Sequence, residues 1–204
     1  MHGVITGDIV NSTKLGGTAE KKLMKMLNEV LVPFTFEFYR GDSFQVYQAD
    51  ATFSLKTALL CRAAAISFSK ENEFKFDIRL GIGIGKIQQP VQNLKTAKGD
   101  AFLLSGRAFD SIIISDIRLS IVTNGALANE GLQILADYIN AIFKGMTAKQ
   151  AAVIFELLKG HTQQIVAKKL KKSKSTINQH VSSGRWEEID KLLSHYENIV
   201  KNIL

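Results

Sequence analysis

Residues 34–47 read Phe34-Thr35-Phe36-Glu37-Phe38-Tyr39-Arg40-Gly41-Asp42-Ser43-Phe44-Gln45-Val46-Tyr47. The phenylalanines at 34, 36 and 38 alternate with other residues, which is the periodicity of a half-buried β-strand. Residues 40–43 have the composition of a tight turn, and the residues after them form a second strand pattern. The stretch therefore predicts a β-hairpin with Asp42 in its turn.

The segments on both sides of this hairpin alternate between strand and helix patterns. Residues 4–7 predict a buried strand, and Asn11-Ser12-Thr13 then cap a helix that runs to about residue 32. Beyond the hairpin we expect a helix, a strand, a helix and a strand, over residues 51–69, 76–87, 101–113 and 118–122. This βαββαβαβ order predicts an α+β domain over residues 1–144, with a ferredoxin-like mixed sheet and helices on one of its faces.

The remainder of the chain, residues 145–204, shows helix patterns only, and we place the domain boundary near Gly145. Residues 141–204 hold 11 Lys/Arg against 5 Asp/Glu, whereas residues 1–140 hold 15 against 14. The excess positive charge therefore lies in the last third of the chain. A polyanionic partner would explain this distribution. A solvated basic face explains the charge alone equally well.

The basic segment also carries a helix-turn-helix pattern. Thr162 and Ser173 stand at N-cap positions, and Ile177 and Val181 are spaced to face a core. The pattern resembles that of LuxR-type regulators and of the last region of sigma factors, although Lys171 occupies the turn position where Gly is usual and must adopt a left-handed backbone. A helical bundle for dimerisation is the alternative. The side chains predicted to contact duplex DNA are Lys171, Lys172, Lys174, Ser175, Asn178, Gln179, Ser182 and Arg185.

Composition narrows the cellular setting. A chain of 204 residues with 46% hydrophobic residues can bury a substantial core. Its single cysteine, Cys61, excludes an internal disulfide framework. No apolar stretch reaches the length of a membrane span, and the first residues lack the basic region of a signal peptide. We therefore expect a cytoplasmic protein that does not associate with membranes.

Two aspartates mark a candidate site in the first domain. Asp8 ends the first predicted strand, and Asp42 lies in the hairpin turn. If the two strands are neighbours, both carboxylates reach one edge of the sheet, where they suit a divalent cation with a bound phosphate. Phosphate contacts are then expected from the predicted helix start, namely Asn11, Ser12, Thr13 and Lys14. The alternative is that each aspartate is an ordinary cap or turn residue.

Four motifs in order carry a family resemblance. The chain resembles the SatD family over almost its whole length and, more distantly, class III nucleotidyl cyclases; the tail with Ser183-Gly184-Arg185-Trp186 fits the helix-turn-helix end of SatD-like proteins. The resemblance implies a nucleotide-cyclase-like sheet domain. The four motifs are Ile5-Thr6-Gly7-Asp8-Ile9-Val10-Asn11-Ser12, Gly41-Asp42-Ser43-Phe44-Gln45, Arg79-Leu80-Gly81-Ile82-Gly83-Ile84-Gly85 and Gly99-Asp100-Ala101-Phe102-Leu103-Leu104-Ser105-Gly106-Arg107.

The resemblance to cyclases implies a role for each matching residue. Asp8 and Asp42 match the metal-binding aspartates, and the backbone of Ile9 matches a further ligand. Arg107 matches the catalytic arginine that stabilises the transition state, but Leu103 stands where cyclases have the asparagine of the same set. The implied cofactors are Mg²⁺ or Mn²⁺ with a nucleoside triphosphate. Because cyclase sites form between two subunits, the resemblance also implies a homodimer.

Base selection departs from the cyclase pattern. Cyclases place a purine-selecting Lys three residues before the hairpin glycine, where this chain has Phe38. Thr96 stands at a position where cyclases have a base-reading Asp or Thr, so that position does not discriminate.

The main expectation is therefore a DNA-binding transcriptional regulator, in which a degenerate cyclase-like domain senses a nucleotide or a metal. The alternative is an active nucleotidyl cyclase, or another nucleotide-processing enzyme, that its tail tethers to DNA. A third reading is a dimeric scaffold with a dead site. The absence of the cyclase asparagine at Leu103 and of the cyclase lysine at Phe38 favours the first and third readings. Asp8, Asp42 and Arg107 support the second.

Overall fold

A five-stranded mixed sheet forms the centre of the first part of the chain. The structure is a computed structural model that describes residues 1–39, 41–70, 74–88, 90–91 and 93–203. The strands are β1 (His2–Val10), β2 (Thr35–Tyr39), β3 (Ser43–Gln48), β4 (Asp77–Gly85) and β5 (Leu119–Thr123). Their order is β2-β3-β1-β4-β5, with β4 and β5 parallel and the other neighbours antiparallel.

The first four strands have the ferredoxin-like order that the sequence predicts. Thr35 pairs with Tyr47 and Tyr39 with Ser43, so residues 34–47 do form a hairpin. Gly41 in its turn has φ +87°, a left-handed conformation that glycine adopts without steric cost. Arg40, the first residue of the predicted turn, lies outside the described residues.

Eight α-helices accompany the sheet within the described part of the chain. They are α1 (Gly17–Leu31), α2 (Ser54–Ile66), α3 (Asp100–Asp110), α4 (Ala126–Lys144), α5 (Ala148–Leu158), α6 (Gln163–Leu170), α7 (Lys174–Ser183) and α8 (Trp186–Lys201). The first helix begins at Gly17 rather than at residues 11–13, because those residues lead into a separate 3-10 turn at Ser12–Lys14.

Helices cover both faces of the sheet, which corrects the prediction of a single covered face. A Cβ added to Gly3 would collide with Ser54 at the start of α2, so that side of β1 faces α2. On β4, a Cβ added to Gly81 or Gly83 would lie 2.2–2.6 Å from backbone atoms of α3. Successive strand residues point to opposite faces, and the register places Thr6, whose hydroxyl lies 3.1 Å from that of Ser105, on the α3 face. The glycines of β4 therefore let α3 approach the sheet closely.

The helices after α4 share their core with the sheet. One cluster of buried apolar residues runs from Ile5 in β1 to Val200 in α8, and α5 packs directly against α2. The buried hydroxyl of Tyr196 donates to the carbonyl of Ala51 at 2.8 Å, which fixes α8 to the segment before α2. A separate helix-turn-helix domain is therefore not confirmed, and the boundary at Gly145 stays a prediction. In the described part of the chain, no helix has the length and apolar character needed to span a membrane.

Candidate functional site

The two predicted aspartates meet at one end of the central strands. Asp8 in β1 is paired with Ser43 in β3, the residue that directly follows Asp42. The backbone N–H of Ile9 donates to the Asp42 carbonyl at 3.0 Å, which ties the hairpin turn to the end of β1. The negative charge of Asp42 is one of the influences that raise the pKa of Asp8, so the two carboxylates are electrostatic neighbours. The expected convergence of these strands is present.

The chain turns sharply directly after these residues. Asn11 adopts a left-handed conformation with φ 63°, and its side-chain amide donates to the Lys75 carbonyl at 3.0 Å. Ser12 donates its hydroxyl to Asp42 Oδ2 at 2.8 Å instead of capping a helix. The backbone N–H groups of Ser12 and Thr13 have no acceptor within the described residues. This turn therefore presents donors beside the carboxylates, although it is not the start of α1, and the phosphate contacts expected from it stay a prediction.

Lys14 does not point to the aspartates. Its ammonium group lies 3.2 Å from the centre of the Phe74 ring, in a cation–π contact. The predicted role of this lysine as a phosphate contact therefore requires that it leave Phe74.

Arg79 is a site residue to which the sequence reasoning assigns no role. Its Nη1 donates to Asp8 at 3.0 and 3.3 Å, and the two residues are paired across β4 and β1. Burial raises the pKa of the Asp8 carboxyl, and the Asp42 charge adds to this, while Arg79 and Arg118 lower it; the net direction is upward. The Nε of Arg79 is buried and has no hydrogen-bond partner within the described residues. The guanidinium group therefore holds Asp8 and keeps an unused donor.

The residues present suit a hard divalent cation that completes its coordination with other ligands. Two neighbouring carboxylates supply anionic oxygens, and Mg²⁺ in particular is commonly bound by one or two carboxylates together with phosphate and water. No cluster of three or more His, Cys, Asp or Glu that could hold a metal occurs among the described residues. A complete protein-only metal site is thus not shown, and the roles of Asp8, Asp42 and the Ile9 backbone as ligands stay predictions.

Arg107 and Leu103 lie one helical turn apart on the outer side of α3. Both are exposed, Leu103 by 62%, and Arg107 has no ion-pair or hydrogen-bond partner within the described residues. Because α3 packs on the sheet face that carries Thr6 and Asp8, Arg107 is on the same side of the molecule as the carboxylates. It is free to contact a ligand or a second copy of the chain.

The position expected to read a base faces away from the site. Phe38 is paired with Phe44, and their rings lie 5.7 Å apart on the face opposite Asp8. Its neighbour Glu37 lies on the Asp8 face and forms an ion pair with Lys95 at 2.7 Å. Thr96 follows Lys95, and its side-chain hydroxyl donates to the Asn93 carbonyl within a turn. Glu37 and Lys95 are therefore polar residues on the Asp8 side of the sheet to which the sequence reasoning assigns no role.

The segment predicted to contact DNA has the expected local geometry. Thr162 and Ser173 cap α6 and α7 through their side chains, and Lys171 adopts the left-handed conformation with φ 52°. The predicted contact residues on α7 are exposed. Arg185, however, is engaged: its guanidinium group donates to Glu188 at 3.0 Å and to the hydroxyl of Tyr138. This geometry does not by itself identify a partner.

Comparisons with known proteins give structural matches only. No protein-family model and no curated protein matches the chain. A bacterial light-regulated adenylyl cyclase is 11% identical, with a TM-score of 0.40 over 59% of this chain and 42% of its own length. The dimeric guanylyl cyclase domain of a fusion protein from the aquatic fungus Blastocladiella emersonii is 18% identical, with a TM-score of 0.38 over 54% of this chain and 73% of its own. The catalytic core of a rhodopsin–guanylyl cyclase with converted specificity, in complex with ATPαS, is 15% identical, with a TM-score of 0.35 over 54% and 71%.

The main functional prediction is corrected by these findings. The three solved structures named above are adenylyl and guanylyl cyclases, and none of the three is described as a DNA-binding protein or a transcriptional regulator. A DNA-binding regulator with a degenerate sensor domain is therefore the wrong reading. The prediction rested on the positive charge and the spacing of residues 162–185. A basic pair of capped helices also forms where, as here, the helices pack into the same core as the sheet.

Proposed function

We propose that the chain is a metal-dependent, nucleotide-processing enzyme and, in its most specific form, a nucleotidyl cyclase. The observation that carries the proposal is the meeting of Asp8 and Asp42 beside a turn with two unused N–H donors. Paired carboxylates bind a hard cation, and free backbone donors bind phosphate. A site with both features suits a nucleoside triphosphate. Membership of the SatD family stays a prediction.

Each residue of the site has a separate task in this proposal. Asp8 and Asp42 hold Mg²⁺ or Mn²⁺, which supplies neutralisation of charge on the phosphates. The N–H groups of Ser12 and Thr13 orient phosphate oxygens. Arg79 would be a further phosphate contact beside the metal site, because its buried Nε is a donor without an acceptor within the described residues.

The second set of groups comes from a second copy of the chain. Arg107 is exposed, unpaired within the described residues and on the same side of the sheet as Asp8. The resemblance to cyclases implies that this arginine lies across a two-fold interface from the aspartates, where it would stabilise charge that develops during reaction. In the cyclase form, the ribose 3′ hydroxyl loses its proton to solvent, its oxygen bonds to the α-phosphorus, and the bond from the α-phosphorus to pyrophosphate breaks. The proposal therefore includes a homodimer.

Calorimetry with each of the common ribonucleoside triphosphates and Mn²⁺ tests the proposal. At least one triphosphate should bind to the native chain. Asp8→Asn and Asp42→Asn should each abolish this binding, while Asp137→Asn, which removes an exposed carboxylate on α4, should leave it unchanged. If a folded native chain binds none of the triphosphates, or if the site variants bind as well as the native chain, the proposal fails.

A further inference from the structure

A second polar cleft lies at the end of β1, where Val10 and Asn11 line it, between the start of β4, the segment before β5 and the end of α4. Its volume is about 390 Å³, which lies within the usual range for small-ligand pockets. Its polar lining includes Arg62, Lys75, Asp77, Arg118, Asn140 and Lys144. Neither Asp8 nor Asp42 lines it, although Asn11, in the turn that follows β1, does. The cleft is therefore adjacent to the carboxylate pair but does not contain it.

The inner wall of the cleft is rigid and fully hydrogen-bonded. Arg62 is only 1% exposed and forms a two-pronged ion pair with Asp77, with N···O distances of 2.8 and 3.0 Å. The Oδ1 atom of Asn140 accepts from Arg62 Nη1 at 3.1 Å and from the backbone N–H of Arg118 at 3.3 Å. The amide nitrogen of Asn140 donates to the Leu119 carbonyl. These bonds fix the wall before any ligand arrives.

Cations outnumber carboxylates around this wall. Four lining residues are Lys or Arg, whereas Asp77 and the exposed Asp116 are the lining carboxylates, and Asp77 is already neutralised by Arg62. Arg118 uses Nη1 on the carbonyls of Ser115 and Ile117, and its Nε and Nη2 have no acceptor within the described residues. Lys144 likewise has no side-chain partner within that part of the chain. Donors for an anion are therefore available.

The positive charges also repel one another. Burial lowers the pKa of Arg118, and the neighbouring charges of Arg79 and Arg62 lower it further, against the opposing influence of Asp77 and Asp116. Burial also lowers the pKa of Lys75; the charge of Asp77 raises it, and the charge of Arg62 lowers it further. The ammonium group of Lys75 meanwhile donates to the last carbonyls of α4, at 2.6 and 2.7 Å. An anion in the cleft would relieve this repulsion.

We propose that this cleft binds a dianionic phosphate group, carried by inorganic phosphate or by a small phosphomonoester. A guanidinium group presents parallel N–H donors that match two phosphate oxygens, and Arg118 has such donors unused. Lys144 adds a point charge at the rim. The volume accommodates a phosphate with a small organic group attached. The proposal is independent of the nucleotide-processing reaction, since it involves neither the Asp8–Asp42 pair nor a metal.

The test is a calorimetric titration of the full chain, without divalent metal or nucleotide, at constant ionic strength. One arm uses inorganic phosphate and the other glycerol 3-phosphate, with chloride as the reference anion. Saturable binding with a dissociation constant below about 1 mM is expected in at least one arm. The arm with the tighter binding identifies whether the free anion or the ester is preferred. Absence of saturable binding in both arms would overturn the proposal.

Variants separate the cleft from general charge effects. Arg118→Gln should weaken binding by about 10-fold or more, since it removes a charge-assisted donor pair. Lys144→Gln, at an exposed position on α4, should weaken it by about 3-fold and cannot act through the buried wall. Lys22→Gln removes an equal charge from the exposed side of α1 and should have no effect. If Lys22→Gln weakens binding as much as the cleft variants, the cleft is not the site.

Discussion

Arg79 Nη1 lies 3.0 Å from Asp8 Oδ2, and the two residues are direct cross-strand partners in β4 and β1. The guanidinium group and a metal ion thus need the same carboxylate. Both side chains are mostly buried, with 14% and 25% of their surfaces exposed, so solvent screens their attraction only in part. In the proposed enzyme, a cation at Asp8 would compete with Arg79 for this carboxylate, and the Nε of Arg79, which has no partner within the described residues, would be a donor for a phosphate.

Substitution of Arg79 by Gln should separate metal binding from nucleotide binding. Affinity for Mn²⁺ alone should stay equal or rise by about 3-fold, because the competing cation is gone. Affinity for the Mn²⁺–triphosphate complex should fall by about 10-fold or more, because a charge-assisted hydrogen bond is lost. Mn²⁺ titration by electron paramagnetic resonance and calorimetry with the triphosphate give the two affinities. A parallel loss of both would show that Arg79 merely supports the fold.

The contact between β4 and α3 predicts opposite effects for two glycines. Gly83→Ala should lower the free energy of unfolding by about 1–3 kcal/mol, because its Cβ would lie 2.2 Å from the Ala101 carbonyl oxygen in the present geometry. Gly106→Ala has no atom within 4 Å of the new Cβ and lies inside α3. It should raise the free energy of unfolding by about 0.5–1 kcal/mol. Urea titrations measure both, and equal effects would contradict the close packing of α3.

Tyr196 connects α8 to Ala51, in the segment between β3 and α2. Tyr196→Phe should lower the free energy of unfolding by about 1–2 kcal/mol, because the buried Ala51 carbonyl loses the hydroxyl that donates to it. Tyr138→Phe removes a hydroxyl whose contact with Arg185 is exposed to solvent, and should change it by less than about 0.5 kcal/mol. With one shared core, far-ultraviolet circular dichroism and tryptophan fluorescence from Trp186 should report a single transition. Two transitions, with Tyr196→Phe without effect on either, would indicate an independent C-terminal domain.

The proposed enzyme lacks one group that the cyclase resemblance implies. If a hydrogen-bonding group at position 103 stabilises developing charge, its absence costs about 10²–10³ in rate. Leu103→Asn should therefore raise the turnover of a triphosphate, and the exposed position tolerates the change without loss of stability. Leu127→Asn, at another exposed position, on α4, is the matched control. If Leu103→Asn does not turn over the triphosphate faster than Leu127→Asn, residue 103 does not limit the reaction.

Local sequence patterns predicted the strands and the convergence of Asp8 with Asp42, because strand alternation and turn residues act over a few positions. The same patterns gave the wrong start for α1. Ser12 is a good capping residue, but its hydroxyl bonds to Asp42, thirty residues away, and Asn11 turns the chain through a left-handed conformation. Such a tertiary competitor for a capping side chain leaves no signal in the local sequence.

The errors about the helices have a similar origin. The alternating glycines at 81, 83 and 85 do signal a close approach to β4, and that signal could have placed α3 on the second face of the sheet. The basic charge and the caps of residues 162–185 are real, yet they carry no information about Tyr196, whose contact with Ala51 joins the helices to the sheet core. DNA binding was therefore predicted from charge and helix caps that do not identify a partner. The contact of Arg79 with Asp8 was missed because it depends on the pairing of β4 with β1.

Chromatography of a prolonged incubation with a triphosphate and Mn²⁺ is the most direct test of nucleotide processing at Asp8 and Asp42. The native chain should convert at least one triphosphate over several turnovers, with a cyclic nucleotide and pyrophosphate as the products of the cyclase form. Asp8→Asn/Asp42→Asn should abolish conversion, and Asp137→Asn should retain it. A native chain that is folded, yet converts no triphosphate, or a double variant that converts it at the native rate, would contradict the account.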